Sequence, residues 1–302
     1  MKLVSIIVFV FFLFTGRSAY GFSGTRAGFY MPDSLREISV PIRTCQGLII
    51  LPVVINDTVH VNLVLDTGCR NLVLFGGHFQ KKIPLTPDKT VNFSGLGEGK
   101  PLNGRLSINN KVSIHSILGE SIPIIVVPDP KLFRPRDHID GIIGYDIFIK
   151  FEIEFQPFTQ MIIFRPAQSA AEPSGYLKLP LRIEDSRPVV QSTIEFEKNN
   201  PHTLDVIIDT GSSLGLLLKT ISIQNDDAPS QTIGRGLNGA LEGSELVAHK
   251  LVFNENLVLK HVSVDIISSP WHHQATIGME ILKDYIVILN YCKAYMCLKK
   301  IS

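Results

Sequence analysis

The sequence has few cysteines, a single tryptophan and almost no net charge. Four cysteines among 302 residues are too few for a scaffold built on disulfide bonds, and their spacing fits no zinc motif. The 29 basic side chains balance 28 acidic ones, so the charge gives no indication of a nucleic-acid partner. With 45% hydrophobic and 19% charged residues, the chain has the composition of a folded protein and is long enough to bury a full core.

The N-terminus carries an apolar run that is short for a membrane helix. The run occupies residues 3–14 after a basic start, and the small-residue pattern Ala19-Tyr20-Gly21 follows it. A spanning helix needs about 20 apolar residues, whereas this arrangement is typical of a cleaved secretory signal peptide. An uncleaved anchor is the alternative. We expect residues 1–21 to be removed and the mature protein to be secreted or periplasmic, where disulfides can persist.

The two halves of the chain carry the same series of motifs. Residues 63–68 read Leu-Val-Leu-Asp-Thr-Gly, and residues 206–211 read Val-Ile-Ile-Asp-Thr-Gly. In each half a glycine-rich stretch follows, and then an Ile-Gly pair that ends at Gly144 or at Gly278. Three markers in the same order predict a tandem duplication of a unit of about 125 residues, and not a solenoid of many short repeats.

Both halves have the pattern of β-structure. Residues 59–65 and 204–208 are β-branched runs bounded by turn residues, and residues 151–155 alternate apolar and charged, which predicts a strand with one buried face. Short helices are expected only around residues 145–148 and 279–283. The predicted fold is all-β, with two homologous halves related by a pseudo-twofold axis. Its predicted parts are an N-terminal segment (22–45), a first lobe (46–166), a linker (167–176) and a second lobe (177–302).

The paired Asp-Thr-Gly sequences are the candidate catalytic residues. A pseudo-twofold arrangement would bring Asp66 and Asp209 together, and two carboxylates about 3 Å apart share a proton because both cannot ionise. One can then act as base on a water while the other acts as acid toward a scissile carbonyl. The glycines of the two motifs permit a tight turn, and the threonine hydroxyls can bond across the pair or to backbone. These supporting residues are Thr67, Gly68, Thr210 and Gly211.

These motifs resemble those of the aspartic peptidases, specifically the retropepsin-like bacterial aspartyl protease domain fused in tandem. The resemblance covers about residues 46–300 and implies that Asp66 and Asp209 are catalytic. It implies flaps over the substrate at about residues 93–105, with Gly95, Gly97 and Gly99, and at about residues 233–244, with Gly234, Gly236 and Gly239. It also implies ψ-loops, which pack under the catalytic loops and contain Ile143, Gly144, Ile277 and Gly278.

The chain departs from the family pattern at three points. Cys69 stands where Ser or Ala is usual, Thr276 is less apolar than a ψ-loop residue should be, and neither flap has the tyrosine of pepsins. The absent tyrosine puts pepsin-like rules of substrate preference in doubt. Both catalytic carboxylates are retained.

Three other patterns are weaker indications of function. Residues 234–239 satisfy Gly-x-Gly-x-x-Gly, but a dinucleotide site requires a helix to open at the last glycine, and a flap explains the glycines better. His272 and His273 are adjacent and would point in opposite directions on an extended segment, which disfavours a joint metal site. Cys69 is interpreted as a small apolar filler and not as a nucleophile.

The sequence therefore predicts an aspartic endopeptidase that acts on peptides or proteins as a monomer. It predicts no cofactor, no metal and no nucleic-acid partner. The alternative is a relic of the same fold that binds peptides without turnover. Cys292 and Cys297 flank a predicted hairpin turn, and we expect them to form a disulfide while Cys45 and Cys69 stay unpaired.

Overall fold

The computed structural model describes residues 27–97, 99–128, 130–219, 231–267 and 275–301. These residues are mainly β-strand, with two one-turn helices, α1 (Tyr145–Phe148) and α2 (Met279–Leu282), and two 3-10 segments. The predicted all-β class and the short helix after each Ile-Gly pair are confirmed. No helix in these ranges is both long and apolar enough to cross a membrane. The predicted signal peptide lies outside the described residues.

Twelve strands come from the described residues of the first half. They are β1 (Gly28–Tyr30), β2 (Ile38–Pro41), β3 (Arg43–Cys45), β4 (Leu48–Ile55), β5 (Val59–Leu65), β6 (Leu72–Phe75), β7 (Thr90–Phe93), β8 (Leu102–Ile114), β9 (Ile117–Val127), β10 (Gly141–Ile143), β11 (Phe151–Gln156) and β12 (Met161–Pro166). The 3-10 segments are Gly77–Lys81, after β6, and Pro135–Asp137, before β10.

Eleven strands come from the described residues of the second half. They are β13 (Leu177–Pro180), β14 (Arg182–Glu184), β15 (Arg187–Glu195), β16 (Pro201–Ile208), β17 (Leu216–Lys219), β18 (Gln231–Gly236), β19 (Gly239–Asn254), β20 (Leu257–Ile267), β21 (Ala275–Ile277), β22 (Tyr285–Asn290) and β23 (Tyr295–Lys300).

Each half builds one large sheet, and the two sheets have the same central pairings. In the first, β10 runs parallel to β5 and antiparallel to β6, and β6 runs parallel to β9. In the second, β21 runs parallel to β16 and antiparallel to β17, and β17 runs parallel to β20. All residues of β10 and β21 are buried, which explains the apolar character of the sequences before Gly144 and Gly278.

A third sheet combines strands of both halves. Its six strands follow the order β13-β23-β22-β11-β12-β2, with the first three from the second half. The halves meet where β11 pairs antiparallel with β22, with Ile153 opposite Leu289 and Phe155 opposite Val287. Backbone hydrogen bonds and a shared core thus hold the halves together.

The prediction that one face of residues 151–155 is solvated is wrong. Glu152 and Glu154 are 1% and 5% exposed, because β11 lies in the middle of the shared sheet. Their charges are compensated locally: Arg165 Nη1 lies 2.8 Å from Glu154 Oε2 and 3.6 Å from Glu152 Oε1. Buried carboxylates of this kind need such partners.

The N-terminal segment contributes strands to two sheets. Within residues 22–45, for which the sequence pattern predicted no strand, β1 pairs with β9, β2 pairs with β12, and β3 pairs with β4. The described part of this segment, which begins at residue 27, is thus integrated into the fold.

Candidate active site

Asp66 and Asp209 occupy equivalent positions at the ends of two buried strands. Asp66 follows β5, and its backbone N–H donates to the carbonyl of Ile143 over 2.9 Å. Asp209 follows β16, and its backbone N–H donates to Ile277 over 2.8 Å. The Ile-Gly segments predicted as ψ-loops therefore fix where each catalytic loop leaves its sheet.

The glycines of the Ile-Gly pairs lie against the catalytic loops. A Cβ on Gly144 would overlap the carbonyl oxygen of Cys69, and a Cβ on Gly278 would lie 2.6 Å from the carbonyl oxygen of Ser212. Real Cβ atoms essentially never approach another heavy atom this closely. The structure thus brings the segments that contain Ile143, Gly144, Ile277 and Gly278 directly beside the two Asp-Thr-Gly sequences.

Each Asp-Thr-Gly glycine lies against the aspartate of the other half. A Cβ on Gly68 would lie 2.9 Å from Asp209 Oδ1, and a Cβ on Gly211 would overlap the carboxyl group of Asp66. Each glycine N–H also donates to the aspartate of its own loop, over 2.7 Å from Gly68 to Asp66 and 2.9 Å from Gly211 to Asp209. The two carboxyl groups therefore lie close together between these glycines.

The two threonines exchange hydrogen bonds between the two halves of the chain. Thr67 Oγ1 accepts from the N–H of Thr210 over 2.9 Å and donates to the carbonyl of Ile208 over 2.6 Å. Thr210 Oγ1 accepts from the N–H of Thr67 over 3.1 Å and donates to the carbonyl of Leu65 over 2.7 Å. Both threonines are at most 1% exposed, so each hydroxyl satisfies buried backbone groups of the opposite half.

Burial raises the pKa of both aspartates. Asp209 is 9% exposed, and burial is the largest cause of the shift at each carboxyl. For Asp66 the neighbouring charge of Asp209 raises the pKa further, to well above its usual range. Two carboxyls this close retain one proton between them over a range of pH in which isolated aspartates ionise.

Arg187 supplies a positive charge to this pair from the second half. Its Nε donates to the carbonyl of Gly68 over 3.0 Å, and its charge lowers the pKa of Asp66 and of Asp209. Val189 pairs with the residue two positions before Asp209, and Ile50 pairs with the residue two positions before Asp66, so the two are equivalent. Two residues earlier on each strand, Leu48 is therefore the first-half equivalent of Arg187. The sequence analysis missed Arg187; the only signal was this one-sided arginine at the start of a repeated strand.

The glycine-rich stretches form two hairpins whose tips touch. The first flap consists of β7, β8 and the described loop residues between them, 94–97 and 99–101, which include Gly95, Gly97 and Gly99. The second flap consists of β18 and β19 around the turn at residues 237 and 238, with Gly234, Gly236 and Gly239. At the contact, Asn238 bonds to the first loop, and a Cβ on Gly236 would overlap the carbonyl of Leu96. Sequence reasoning did not single out Asn238.

The Gly-x-Gly-x-x-Gly pattern lies in the second flap. Its last glycine begins strand β19 and opens no helix. This agrees with the flap interpretation and disfavours a dinucleotide site. The pair His272 and His273 lies outside the described residues. Within the described ranges no group of three or more His, Cys, Asp or Glu residues could hold a metal ion.

The predicted disulfide between Cys292 and Cys297 is absent, and all four cysteines are free. Cys297 is buried in β23 opposite Ile288, whereas Cys292 is exposed in the turn with its Sγ 3.1 Å from the carbonyl of Ile149. Short spacing in the chain did not place the two thiols across from each other, because hairpin register pairs Asn290 with Tyr295. Cys45 is half-buried and Cys69 is buried, which fits the interpretation of Cys69 as an apolar filler.

Comparison with known proteins gives one family. Residues 51–147 match the family model described as aspartyl protease, a segment that includes Asp66, the first flap and Gly144. No curated protein matches the chain. The match supports an aspartyl protease family, to which the chain is similar over this segment.

Proposed function

We propose that the protein is an aspartic endopeptidase whose single chain supplies both halves of the catalytic site. The observation that carries the proposal is the adjacent pair of Asp66 and Asp209, each held by its own Asp-Thr-Gly loop and each lying against the glycine of the other loop. The repeated pairings of β5 with β10 and of β16 with β21 support a tandem duplication in which two retropepsin-like lobes face each other.

The geometry supports hydrolysis by a water between the two carboxyls. The ionised carboxylate takes a proton from the water as its oxygen bonds to the scissile carbonyl carbon, and the protonated carboxyl gives its proton to the carbonyl oxygen. The resulting diol collapses when the C–N bond breaks and the amide nitrogen accepts a proton. The products are a carboxylic acid and an amine, and the dyad again holds one proton.

The alternative is a peptide-binding relic without turnover. The aspartyl protease match favours hydrolysis, as does the intact dyad, because two buried acids that repel each other are costly to keep without a use. We further propose that residues 1–21 direct secretion and that the mature protein acts as a monomer on peptides or proteins. N-terminal sequencing of the mature protein, and specific activity measured on dilution, test these two points.

The dyad is tested by amide substitutions. Asp66→Asn and Asp209→Asn should each lower turnover of a fluorogenic peptide by at least about a thousandfold, and the double variant should be hardly worse, because the pair acts as a unit. Asp205→Asn is the matched control: Asp205 lies on β16, the strand that leads into Asp209, is half-exposed and pairs with Arg182. It should retain parental turnover.

Two results would refute the proposal. One is a single dyad variant that keeps more than about a tenth of parental activity, which would be a barrier change of less than about 1.4 kcal/mol. The other is a parent protein that binds a statine-type peptide inhibitor but cleaves no peptide of a diverse library between about pH 3 and 8, where dyads of this kind act. The second result would favour the relic.

A further inference from the structure

Asn238 joins the tips of the two flaps with four hydrogen bonds. Its backbone N–H donates to the carbonyl of Leu96 over 2.9 Å, and its carbonyl accepts from the N–H of Gly99 over 2.6 Å. Its side-chain Oδ1 accepts from the N–H of Gly95, and its Nδ2 donates to the carbonyl of Lys100, each over 2.5 Å. Although it occupies a hairpin tip, Asn238 is only 7% exposed, because the first loop surrounds it.

Glycines in the first loop make this close approach possible. A Cβ on Gly97 would lie 2.5 Å from the backbone carbon of Asn238, and a Cβ on Gly95 would lie 2.8 Å from Cβ of Leu237. The backbone of Gly97 also has a φ of +121°, which other residues rarely adopt. Larger residues at these positions would force the tips apart, so the contact requires glycine at both of them.

The second flap extends from this contact toward the catalytic loops. A Cβ added to Gly234, on β18, would lie 3.7 Å from the side chain of Leu214, which follows the second Asp-Thr-Gly sequence. The second flap therefore bridges two places: it contacts the segment after the second Asp-Thr-Gly sequence through Gly234, and it contacts the first flap through Asn238. If the flaps cover the dyad, as the resemblance to the aspartic peptidases implies, a peptide must pass this bridge to reach the two carboxyls.

We propose that Asn238 is a latch that must release the first flap loop before a peptide enters or leaves the dyad. This inference rests on the proposed function for its ligand. A side-chain amide suits the role because it offers one acceptor and one donor, which the loop uses with the N–H of Gly95 and the carbonyl of Lys100. Removing the amide leaves only the backbone bonds, so the tips should separate more often.

The first test measures hydrogen exchange in residues 94–101 and needs no catalytic activity. In Asn238→Ala, exchange protection of the Gly95 and Gly99 amides should fall by about tenfold or more, because two of the four bonds are lost. Asn254→Ala is the matched control: Asn254 ends β19, and its side-chain Oδ1 accepts from the N–H of Asn256 within its own turn. Protection in residues 94–101 should stay unchanged there.

Asn238→Asp makes the test depend on pH. A protonated carboxyl can both accept from Gly95 and donate to Lys100, whereas an ionised one cannot donate. Burial should hold the pKa of this carboxyl above the ordinary aspartate value of about 4, so the protection factors of this variant should be near parental at about pH 3 and reduced by about pH 8. Unchanged protection in Asn238→Ala, or a pH-independent Asn238→Asp variant, would show that the side chain does not hold the loop.

The second test measures binding of a statine-type peptide inhibitor in stopped flow. A latch slows entry and exit alike, so Asn238→Ala should raise the association and dissociation rates together by about tenfold, with a change of less than about threefold in Kd. A residue that merely contacts the ligand would raise the dissociation rate alone. Parental rates in a variant that has lost exchange protection would overturn the latch.

The two proposals fail in distinguishable ways. A parent protein that binds no inhibitor and cleaves no peptide refutes the endopeptidase, and with it any gate for peptides, while the exchange data still report on the bridge. A parent that binds and cleaves, with rates unaffected by Asn238→Ala, refutes only the latch.

Discussion

Replacing Thr67 with valine removes one hydroxyl and leaves the shape of the side chain nearly unchanged. Thr67 is fully buried, and its Oγ1 serves both the carbonyl of Ile208 and the N–H of Thr210. Each backbone group left buried without a partner costs about 1–3 kcal/mol. We therefore expect Thr67→Val to lower the free energy of unfolding by about 2–6 kcal/mol, a large share of the 5–15 kcal/mol typical of a domain.

Thr276 offers a matched control in the same kind of environment. It is 2% exposed, lies on β21 beside the second catalytic strand, and its Oγ1 has no hydrogen-bond partner among the described residues. Thr276→Val removes a buried hydroxyl that has no hydrogen-bond partner among the described residues, so the free energy of unfolding should stay the same or rise by up to about 1 kcal/mol.

Urea unfolding of the parent and both variants measures the difference. The urea concentration at the midpoint of unfolding should shift, while the slope of the free energy of unfolding against urea concentration stays constant, because neither substitution changes the surface that unfolding exposes. The reasoning is refuted if Thr67→Val is within about 0.5 kcal/mol of the parent, the usual range for substitutions without a specific mechanism. It is also refuted if Thr276→Val is destabilised as strongly as Thr67→Val.

Three further predictions follow from neighbouring contacts. Gly211→Ala would drive a methyl group into the Asp66 carboxyl, so kcat should fall by about a hundredfold with the fold retained by circular dichroism; near-parental kcat would contradict the close approach. Burial raises the pKa of Asp146 to about 6, so the folded state favours its proton; the contribution of Asp146 to stability should be greatest below about pH 4 and decline as pH rises through about 6. Asp146→Asn should abolish that decline and gain about 1–3 kcal/mol at pH 7 in urea unfolding, whereas an identical pH slope in parent and variant would count against it. Arg187→Gln removes a charge that lowers the pKa of both dyad aspartates, so both limbs of the pH profile of kcat/KM should move to higher pH, with a smaller shift for Arg187→Lys; an unmoved profile would exclude the charge effect.

Short-range patterns in the sequence predicted much of the candidate site. An apolar β-branched run that ends in Asp-Thr-Gly predicts a buried strand followed by a tight turn, and both properties belong to a few adjacent residues. The glycine-rich stretches and the Ile-Gly pairs are local in the same way, and the structure places both beside the catalytic loops. Each of these signals was stronger because it occurs in both halves of the sequence.

Patterns that depend on the surroundings were misread. The alternation of Glu152 and Glu154 with apolar residues predicted a solvated face, yet Arg165 and the shared sheet bury both carboxylates. The spacing of Cys292 and Cys297 predicted a disulfide, yet hairpin register sets Cys297 opposite Ile288. In both cases the outcome depends on a neighbouring strand or side chain, which the residues of the pattern themselves do not specify.

The sequence by itself determined the β class, the two Asp-Thr-Gly loops and the glycines that let backbones approach. Only the tertiary structure decided which groups meet across the halves: Gly211 against Asp66, Arg187 against Gly68, and Asn238 inside the first flap loop. These partners lie more than 100 residues apart in the chain. Strand propensity and turn formation are local, but such contacts arise from the packing of two complete sheets through β11 and β22, and no local pattern encodes that packing.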